Sequence, residues 1–280
     1  MAQDVPRHEL SDGTEMPALG FGTYQLTGEE GTRSIVSAIE VGHRLLDSAV
    51  NYQNEDAVGE AVRRSPVPRE ELWVTSKLPG RDHAYARALE AVEGSLRASG
   101  LEYLDLYLIH WPNPVEDLYV QAWRALVEAR ERGLVRSIGV SNFLPEHLDR
   151  IVGDTGVTPS VNQVELHPYF PQQEQRAKDA ELGIRTESWS PLSRAKTLLG
   201  EPVIENIARK HGRTPAQVVL RWHHQLGAVP IPKASGPQRQ RENLTVFDFS
   251  LSDEEVGEIT ALGRPDGRNR GQDPAVYQEF

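Results

Sequence analysis

Leu104-Asp105-Leu106-Tyr107-Leu108-Ile109-His110 is the stretch that decides the fold class, because it is an almost unbroken apolar run. Parallel strands that are covered on both faces are apolar along their length, whereas half-buried strands alternate apolar and polar residues. A helix-like pattern follows, with Trp123, Leu126 and Val127 on one face. The stretch therefore predicts one strand–helix unit of an α/β fold with a parallel sheet.

The same unit recurs in both directions along the chain. Further strand candidates alternate with segments of helical periodicity. These candidates are residues 19–23, 44–48, 72–77, 136–141, 160–165, 184–189 and 228–232. Eight strand–helix units predict a (β/α)8 TIM barrel. A doubly wound sheet is the rival fold, but no Gly-x-Gly-x-x-Gly motif follows the first strand.

Turn and cap signals agree with this prediction. Asp12-Gly13 predicts a tight turn and hence an N-terminal β-hairpin. Thr214-Pro215 and the capping-box pair Ser252 and Glu255 predict helix starts. Helix ends are predicted at Gly42, Gly100, Gly133, Gly153 and Gly227.

The chain after Gly263 has no clear periodicity, and it predicts an irregular C-terminal tail that folds over one mouth of the barrel. No linker-like composition, low-complexity stretch or sequence repeat interrupts the pattern. We therefore expect residues 1–280 to form a single domain.

Composition narrows the classes of function. A net charge of −11 and a pI near 5.3 disfavour nucleic acid or an anionic membrane as the main partner. The chain has no cysteine, which excludes disulfides and thiolate chemistry, and its histidines show no metal-ligand spacing. Residues 1–6 lack the apolar stretch of a signal peptide, and no segment is long and apolar enough for a membrane helix. A cytoplasmic protein without a metal is expected.

Polar side chains follow most of the predicted strands. In barrels the active site lies at the carboxyl ends of the strands, so these side chains should share one rim. They are Asp47, Lys77, His110, Ser141, Asn142, Gln163, Trp189, Ser190 and Lys233. Asp47 and Lys77 alone could form a plain ion pair, but Tyr52 and His110 beside them point to acid–base chemistry.

Four stretches resemble the signatures of the aldo-keto reductases, in the order that the family has them. They are Gly42-His43-Arg44-Leu45-Leu46-Asp47-Ser48-Ala49 with Tyr52, residues 104–112, Ile138-Gly139-Val140-Ser141-Asn142-Phe143, and Ile231-Pro232-Lys233 with Arg239 and Glu242-Asn243. The resemblance extends from about Leu19 to Phe249. Within the family, the chain is most similar to bacterial members of the 2,5-diketo-D-gluconate reductase type.

The resemblance implies hydride transfer from NADPH to an aldehyde or ketone, with Tyr52 as general acid. A free tyrosine has a pKa of about 10, so a neighbouring Lys77 ammonium is expected to lower the pKa of Tyr52. Asp47 would keep Lys77 charged and oriented. His110 would bind the carbonyl oxygen and help to transfer the proton.

The cofactor residues that the resemblance implies are Ser141, Asn142, Gln163, Trp189, Ser190, Leu192, Lys233, Ser235, Arg239, Glu242 and Asn243. The amide and hydroxyl groups would bind the nicotinamide amide, and Trp189 would stack on its ring. Lys233 and Arg239 would bind the adenosine 2′-phosphate near a helix N-terminus. Ala234 replaces the usual Ser or Thr of the family, which predicts a smaller preference for NADPH over NADH.

Tyr24, Asn51, Trp111 and part of the tail are the expected walls of the substrate pocket. Pro79 stands where bacterial relatives often have an aromatic residue. The expected substrates are small aldehydes, α-dicarbonyls or keto-sugars, and the expected state is a monomer. Two alternatives stay open: a nicotinamide-nucleotide sensor without turnover, and an isomerase or aldolase that uses Lys77 as a Schiff base.

Overall fold

The computed structural model describes residues 5–193 and 197–279, so residues 1–4 of the predicted polar start lie outside the described part. An antiparallel hairpin comes first, and a parallel sheet follows in which each strand pairs with its neighbour in the chain. The hairpin strands are β1 (Arg7–Glu9) and β2 (Glu15–Pro17). The parallel strands are β3 (Gly20–Gly22), β4 (Leu45–Asp47), β5 (Trp73–Leu78), β6 (Leu104–Ile109), β7 (Val135–Ser141), β8 (Val161–Glu165), β9 (Arg185–Trp189) and β10 (Val229–Pro230). The predicted (β/α)8 barrel with an N-terminal hairpin is confirmed.

The barrel closes between its first and last strands. The Gly22 N–H donates a hydrogen bond to the Pro232 carbonyl, with N and O 3.1 Å apart. A Cβ at Gly20 would lie only 3.0 Å from the Ile231 side chain and 2.8 Å from that of Leu45. Glycine in β3 therefore allows the two edges of the sheet to approach.

Helices connect the strands and cover the outside of the barrel. They are α1 (Gly28–Val41), α2 (Glu55–Arg64), α3 (Tyr85–Ser99), α4 (Tyr119–Glu131), α5 (Pro145–Thr155), α6 (Gln173–Glu181), α7 (Pro202–His211), α8 (Pro215–Gln225), α9 (Pro237–Leu244) and α10 (Asp253–Thr260). The predicted caps are present, since Thr214 accepts a hydrogen bond from the Gln217 N–H and Ser252 accepts one from the Glu255 N–H.

One predicted helix end is wrong. Helix α5 continues through Gly153 to Thr155 and ends at Gly156, whose φ of 70° is left-handed. Glycine is tolerated inside a helix at a modest cost, whereas a left-handed C-terminal cap strongly favours it. The glycine that ends α5 is therefore the one that adopts the left-handed conformation.

The hairpin closes the amino-terminal end of the barrel. Leu10 and Met16 are buried among the inward-facing apolar side chains of the strands. Asp12 accepts hydrogen bonds of 2.6 Å from Ser137 and Ser160, which lie at or near the starts of β7 and β8. The opposite end, where the strands terminate, is left for a site.

Candidate active site

A buried ion pair forms the floor of the site at the carboxyl end of the barrel. The Lys77 ammonium, fully buried in β5, lies 2.7 Å from both carboxylate oxygens of Asp47 in β4 and donates to the Ser48 carbonyl at 2.7 Å. Burial opposes the charge of Lys77, but the Asp47 carboxylate, together with Tyr52 and Glu187, outweighs it, and the pKa of the ammonium is raised. Lys77 is thus held as a cation, whereas the Schiff-base alternative needs a free amine.

Tyr52 lies above this pair, in the turn that follows β4. The Lys77 nitrogen is 5.0 Å from the centre of the Tyr52 ring, whose edge-on neighbours are Tyr24 at 5.1 Å and His110 at 5.9 Å between ring centres. The predicted lowering of the Tyr52 pKa is wrong in its net direction. Burial raises it to about 12, and the lowering by Lys77 is smaller than the effect of burial. Tyr52 is therefore a protonated phenol near neutral pH.

His110 directly follows β6 and packs edge-on against Tyr52. Its carbonyl accepts a hydrogen bond of 3.0 Å from the Asn142 side chain. Its Nδ1 is 2.7 Å from Oε1 of Glu279. The two groups are within ion-pair distance, but the contact does not have the angles of a hydrogen bond. Among the described residues no protein group hydrogen-bonds Nε2, and the ring lines the cavity. This nitrogen is available to a ligand.

Amide and indole groups form the opposite wall. Asn142 directly follows β7 in a left-handed conformation (φ 62°), and its side-chain oxygen accepts a hydrogen bond of 2.8 Å from the Trp189 indole. Ser141 donates to the Gln163 carbonyl at 2.7 Å and accepts from Asn142 at 3.0 Å. These bonds fix the indole and the amides relative to each other.

Glu187 is a buried residue of the site that the sequence analysis missed. The Gln163 side-chain nitrogen donates both to Asp47, at 2.9 Å, and to Glu187, at 2.7 Å. Burial raises the pKa of Glu187 to about 8, and the nearby Asp47 carboxylate adds to this shift. An acidic residue in the middle of a predicted barrel strand, residues 184–189, was the available signal.

A cavity of about 530 Å³ joins these walls. Of the predicted residues, those that line it are Asp47, Tyr52, His110, Ser141, Asn142, Gln163, Trp189, Ser190, Leu192, Lys233, Tyr24, Asn51 and Trp111. The tail contributes Arg270, Gln272, Tyr277 and Glu279, so the prediction that it folds over the mouth is confirmed. The ring of Tyr277 packs 4.4 Å from that of Trp111, centre to centre.

The remaining predicted cofactor residues lie outside this cavity, on and just before α9. Ser235 and Arg239 are exposed, Glu242 is half-buried, and Asn243 is buried. Gln240 fixes this helix to α1 through a hydrogen bond of 3.1 Å to the Ser34 carbonyl.

Two features are absent from the described residues, a metal site and a membrane-spanning helix. No group of three or more His, Asp or Glu side chains is arranged to hold a metal ion. No helix in the part of the chain that the structure describes is long and apolar enough to cross a membrane.

Fold and site together define a barrel protein with an acid–base cavity at the carboxyl ends of its strands. The sequence model of the Aldo/keto reductase family matches residues 18–264. The chain is 53% identical to 2,5-diketo-D-gluconic acid reductase B of Corynebacterium sp. (strain SHS752001), with 99% of each chain covered. It is 47% identical to methylglyoxal reductase DkgA of Escherichia coli (strain K12), over 96% of this chain and 97% of that protein.

A solved structure is also similar to this chain over nearly its whole length. A Gox0644 mutant in complex with NADPH superposes with a TM-score of 0.94 at 42% identity, covering 99% of this chain and 100% of its own. The chain belongs to the aldo/keto reductase family. The predicted family and the predicted class of enzyme, an oxidoreductase, are confirmed.

Proposed function

We propose that this protein reduces aldehydes and ketones to alcohols with NADPH, and that Tyr52 donates the proton. The observation that carries the proposal is one cavity that Tyr52 and His110 line together with Asn142, Gln163 and Trp189. A reducible carbonyl can then lie beside Tyr52 and His110, while a planar cofactor ring lies against Trp189 and the neighbouring amides. NADP(H) is the cofactor, in agreement with the family and with the NADPH-bound structural relative.

The residues fit this cofactor. Trp189 is partly exposed to the cavity and is held at its indole nitrogen by Asn142, so its face can stack on an aromatic ring. Lys233 lines the cavity and Arg239 is exposed near the N-terminus of α9, and two cations with free helix N–H groups suit a phosphate. When bound, NADPH supplies the hydride that reaches the carbonyl carbon.

Tyr52 completes the reaction by giving its hydroxyl proton to the carbonyl oxygen. As negative charge develops on that oxygen it becomes a stronger base than the Tyr52 phenolate, so a raised phenol pKa still permits the transfer. The Lys77 ammonium then stabilises the phenolate that is formed. Asp47 keeps Lys77 in place through the two 2.7 Å contacts.

The substrates that we propose are small aldehydes, α-dicarbonyls or keto-sugars. Relatives at 53% and 47% identity are named for reduction of 2,5-diketo-D-gluconic acid and of methylglyoxal. Arg270 on the cavity wall would favour a substrate that carries a negative charge. The single domain, the monomeric state and the cytoplasmic location remain predictions.

A panel of carbonyl compounds with NADPH tests the proposal. Methylglyoxal, aromatic aldehydes and diketo-sugars would be compared by the loss of NADPH absorbance, and turnover of at least one of these classes is expected. Tight NADPH binding without turnover of any carbonyl would instead support the nicotinamide-nucleotide sensor.

A further inference from the structure

Glu279, the last residue that the structure describes, is inserted into the active-site cavity. Its carboxylate lies 2.7 Å from His110 Nδ1, accepts a hydrogen bond of 2.9 Å from the Asn51 side chain, and accepts another of 3.1 Å from the Gly80 N–H. Asn113 holds its backbone at both ends, with hydrogen bonds of 3.0 and 2.7 Å. The loops after β4, β5 and β6 thus together form the binding site of the Glu279 side chain and backbone.

This binding site leaves no room for a side chain at position 80, which is a glycine. A Cβ at Gly80 would lie 2.6 Å from the Glu279 carbonyl oxygen and 2.1 Å from the Asn113 amide nitrogen. Real Cβ atoms do not approach other heavy atoms so closely, so any larger residue would displace the tail. Glu279 is only 8% exposed, and the tail therefore places a carboxylate in a specific buried position.

We propose that Glu279 is a positioning residue for His110, which fixes the orientation of the imidazole and the nitrogen that it presents to the substrate. This inference rests on the proposed function. A carboxylate 2.7 Å from Nδ1 favours a proton on that nitrogen, because two lone pairs at this distance would repel each other. The other nitrogen, Nε2, is then directed to the ligand.

The protonation of Nε2 decides what His110 can do. In the neutral ring with its proton on Nδ1, Nε2 is only an acceptor, whereas in the imidazolium it is a donor. A hydrogen bond from His110 to a carbonyl oxygen therefore needs the doubly protonated ring. Glu279 provides a negative charge beside that ring, and because it contacts Nδ1 it does not block Nε2.

The titratable groups around the His110–Glu279 pair, apart from Glu187, do not change their protonation near neutral pH. Burial opposes the charge of Glu279, but His110 and the hydrogen bonds outweigh it and lower the pKa of the carboxyl. Burial lowers the pKa of His83, beside Glu279, to about 4 and raises that of Tyr52 to about 12. The Arg81 side chain donates a hydrogen bond to the Asn51 side chain, which in turn donates one to Glu279.

Glu187 is the exception, because its pKa of about 8 lies in the working range. It contacts Gln163 beyond Asp47, away from His110, and is present in every variant compared below. Its contribution therefore cancels when a variant is compared with the wild type.

The test compares the pH dependence of kcat/KM and of kcat for wild type, Glu279→Gln and Gly80→Ala. Both variants should lower kcat/KM and change its dependence on pH, because the carboxylate that fixes the imidazole is neutralised or displaced. NADPH affinity, measured by fluorescence, should not change. Asp266→Asn removes a tail carboxylate whose side chain is 87% exposed, and its profile should match that of the wild type.

A second readout does not depend on activity. Nitrogen-15 shifts of the His110 ring, assigned with a His110→Gln variant, should show a protonated Nδ1 in the wild type and a mixture of tautomers in Glu279→Gln. Unchanged pH profiles in both variants, or equal tautomer populations in wild type and Glu279→Gln, would overturn this role. Higher kcat/KM at every pH would mean that Glu279 inhibits instead. Failure of the wild type to reduce any carbonyl would refute the proposed function, while the nitrogen shifts would still test the contact.

Discussion

At the scale of single residues, the hydroxyl of Tyr52 is subject to opposing influences. Loss of water contact raises its pKa, the Asp47 and Glu279 carboxylates add to the rise, and the Lys77 ammonium opposes it. The result, a pKa of about 12, keeps the proton on the oxygen in the resting enzyme. The ammonium therefore acts mainly by stabilising the phenolate after proton transfer.

Glu187 allows a prediction about stability and pH. Its folded pKa of about 8 lies above its ordinary 4.5, so the folded state keeps a proton that the unfolded chain releases between these values. Stability must then fall as pH rises through that window. Glu187→Gln should leave stability nearly unchanged at pH about 4 and raise it by about 1 kcal/mol or more at pH about 9.

Urea unfolding of both proteins at the two pH values measures this difference. The glutamine keeps an oxygen that can accept the Gln163 hydrogen bond, so the variant tests the charge rather than the contact. An equal effect of the substitution at both pH values would show that Glu187 is not a buried acid with a raised pKa.

At the scale of elements, the position of each arginine on α9 distinguishes Arg239 from Arg241 as a phosphate ligand, which the sequence alone does not. Arg239 lies in the first turn of the helix, where free N–H groups favour a phosphate, and Arg241 lies further along. Arg239→Ala should raise KM for NADPH by about tenfold to a hundredfold, the loss expected for one charged hydrogen bond of about 1.5–3 kcal/mol. KM for NADH should change little.

Arg241→Ala is the matched control, because Arg241 is exposed on the same helix. Steady-state kinetics with both cofactors measure the two variants side by side. Equal effects of the two substitutions on KM for NADPH would contradict a phosphate site at the start of α9.

The wild-type ratio of kcat/KM for NADPH to that for NADH tests the smaller preference for NADPH that Ala234 predicts. Ala234 is buried in this structure.

At the scale of the whole molecule, the tail brings a cation to the barrel mouth. Arg270 lines the cavity, and no carboxylate of the described residues lies within ion-pair distance of it. Arg270→Gln should raise KM for an anionic keto-sugar acid by about twofold to fivefold, as expected for an exposed ion pair. KM for methylglyoxal and affinity for NADPH should stay the same. Equal changes for charged and neutral substrates would exclude a role for Arg270 in choosing between them.

The barrel and most of its rim could be predicted from the sequence because both depend on local patterns. Apolar runs identified the strands, and the polar residue after each run, such as His110, was placed by the direction of the strand. Glu187 was missed because it lies in the middle of a mostly polar strand, where an inward-facing position cannot be read without the register. Glu279 was missed because only tertiary packing determines where an irregular tail ends.

The sign of the Tyr52 pKa shift was unpredictable for a similar reason. The sequence indicates that Lys77 is near, but the loss of solvent depends on how the rings of Tyr24 and His110 pack against Tyr52. Burial is a property of the assembled barrel, and it is the larger effect here.

The most direct test of the central claim is the rate of carbonyl reduction by Tyr52→Phe with saturating NADPH. The substitution removes only the hydroxyl, so NADPH affinity should match that of the wild type, while kcat falls by about a hundredfold or more. A single-turnover measurement of NADPH oxidation separates this step from product release. A Tyr52→Phe enzyme that binds NADPH normally and keeps the wild-type rate would contradict the assignment of Tyr52 as the proton donor.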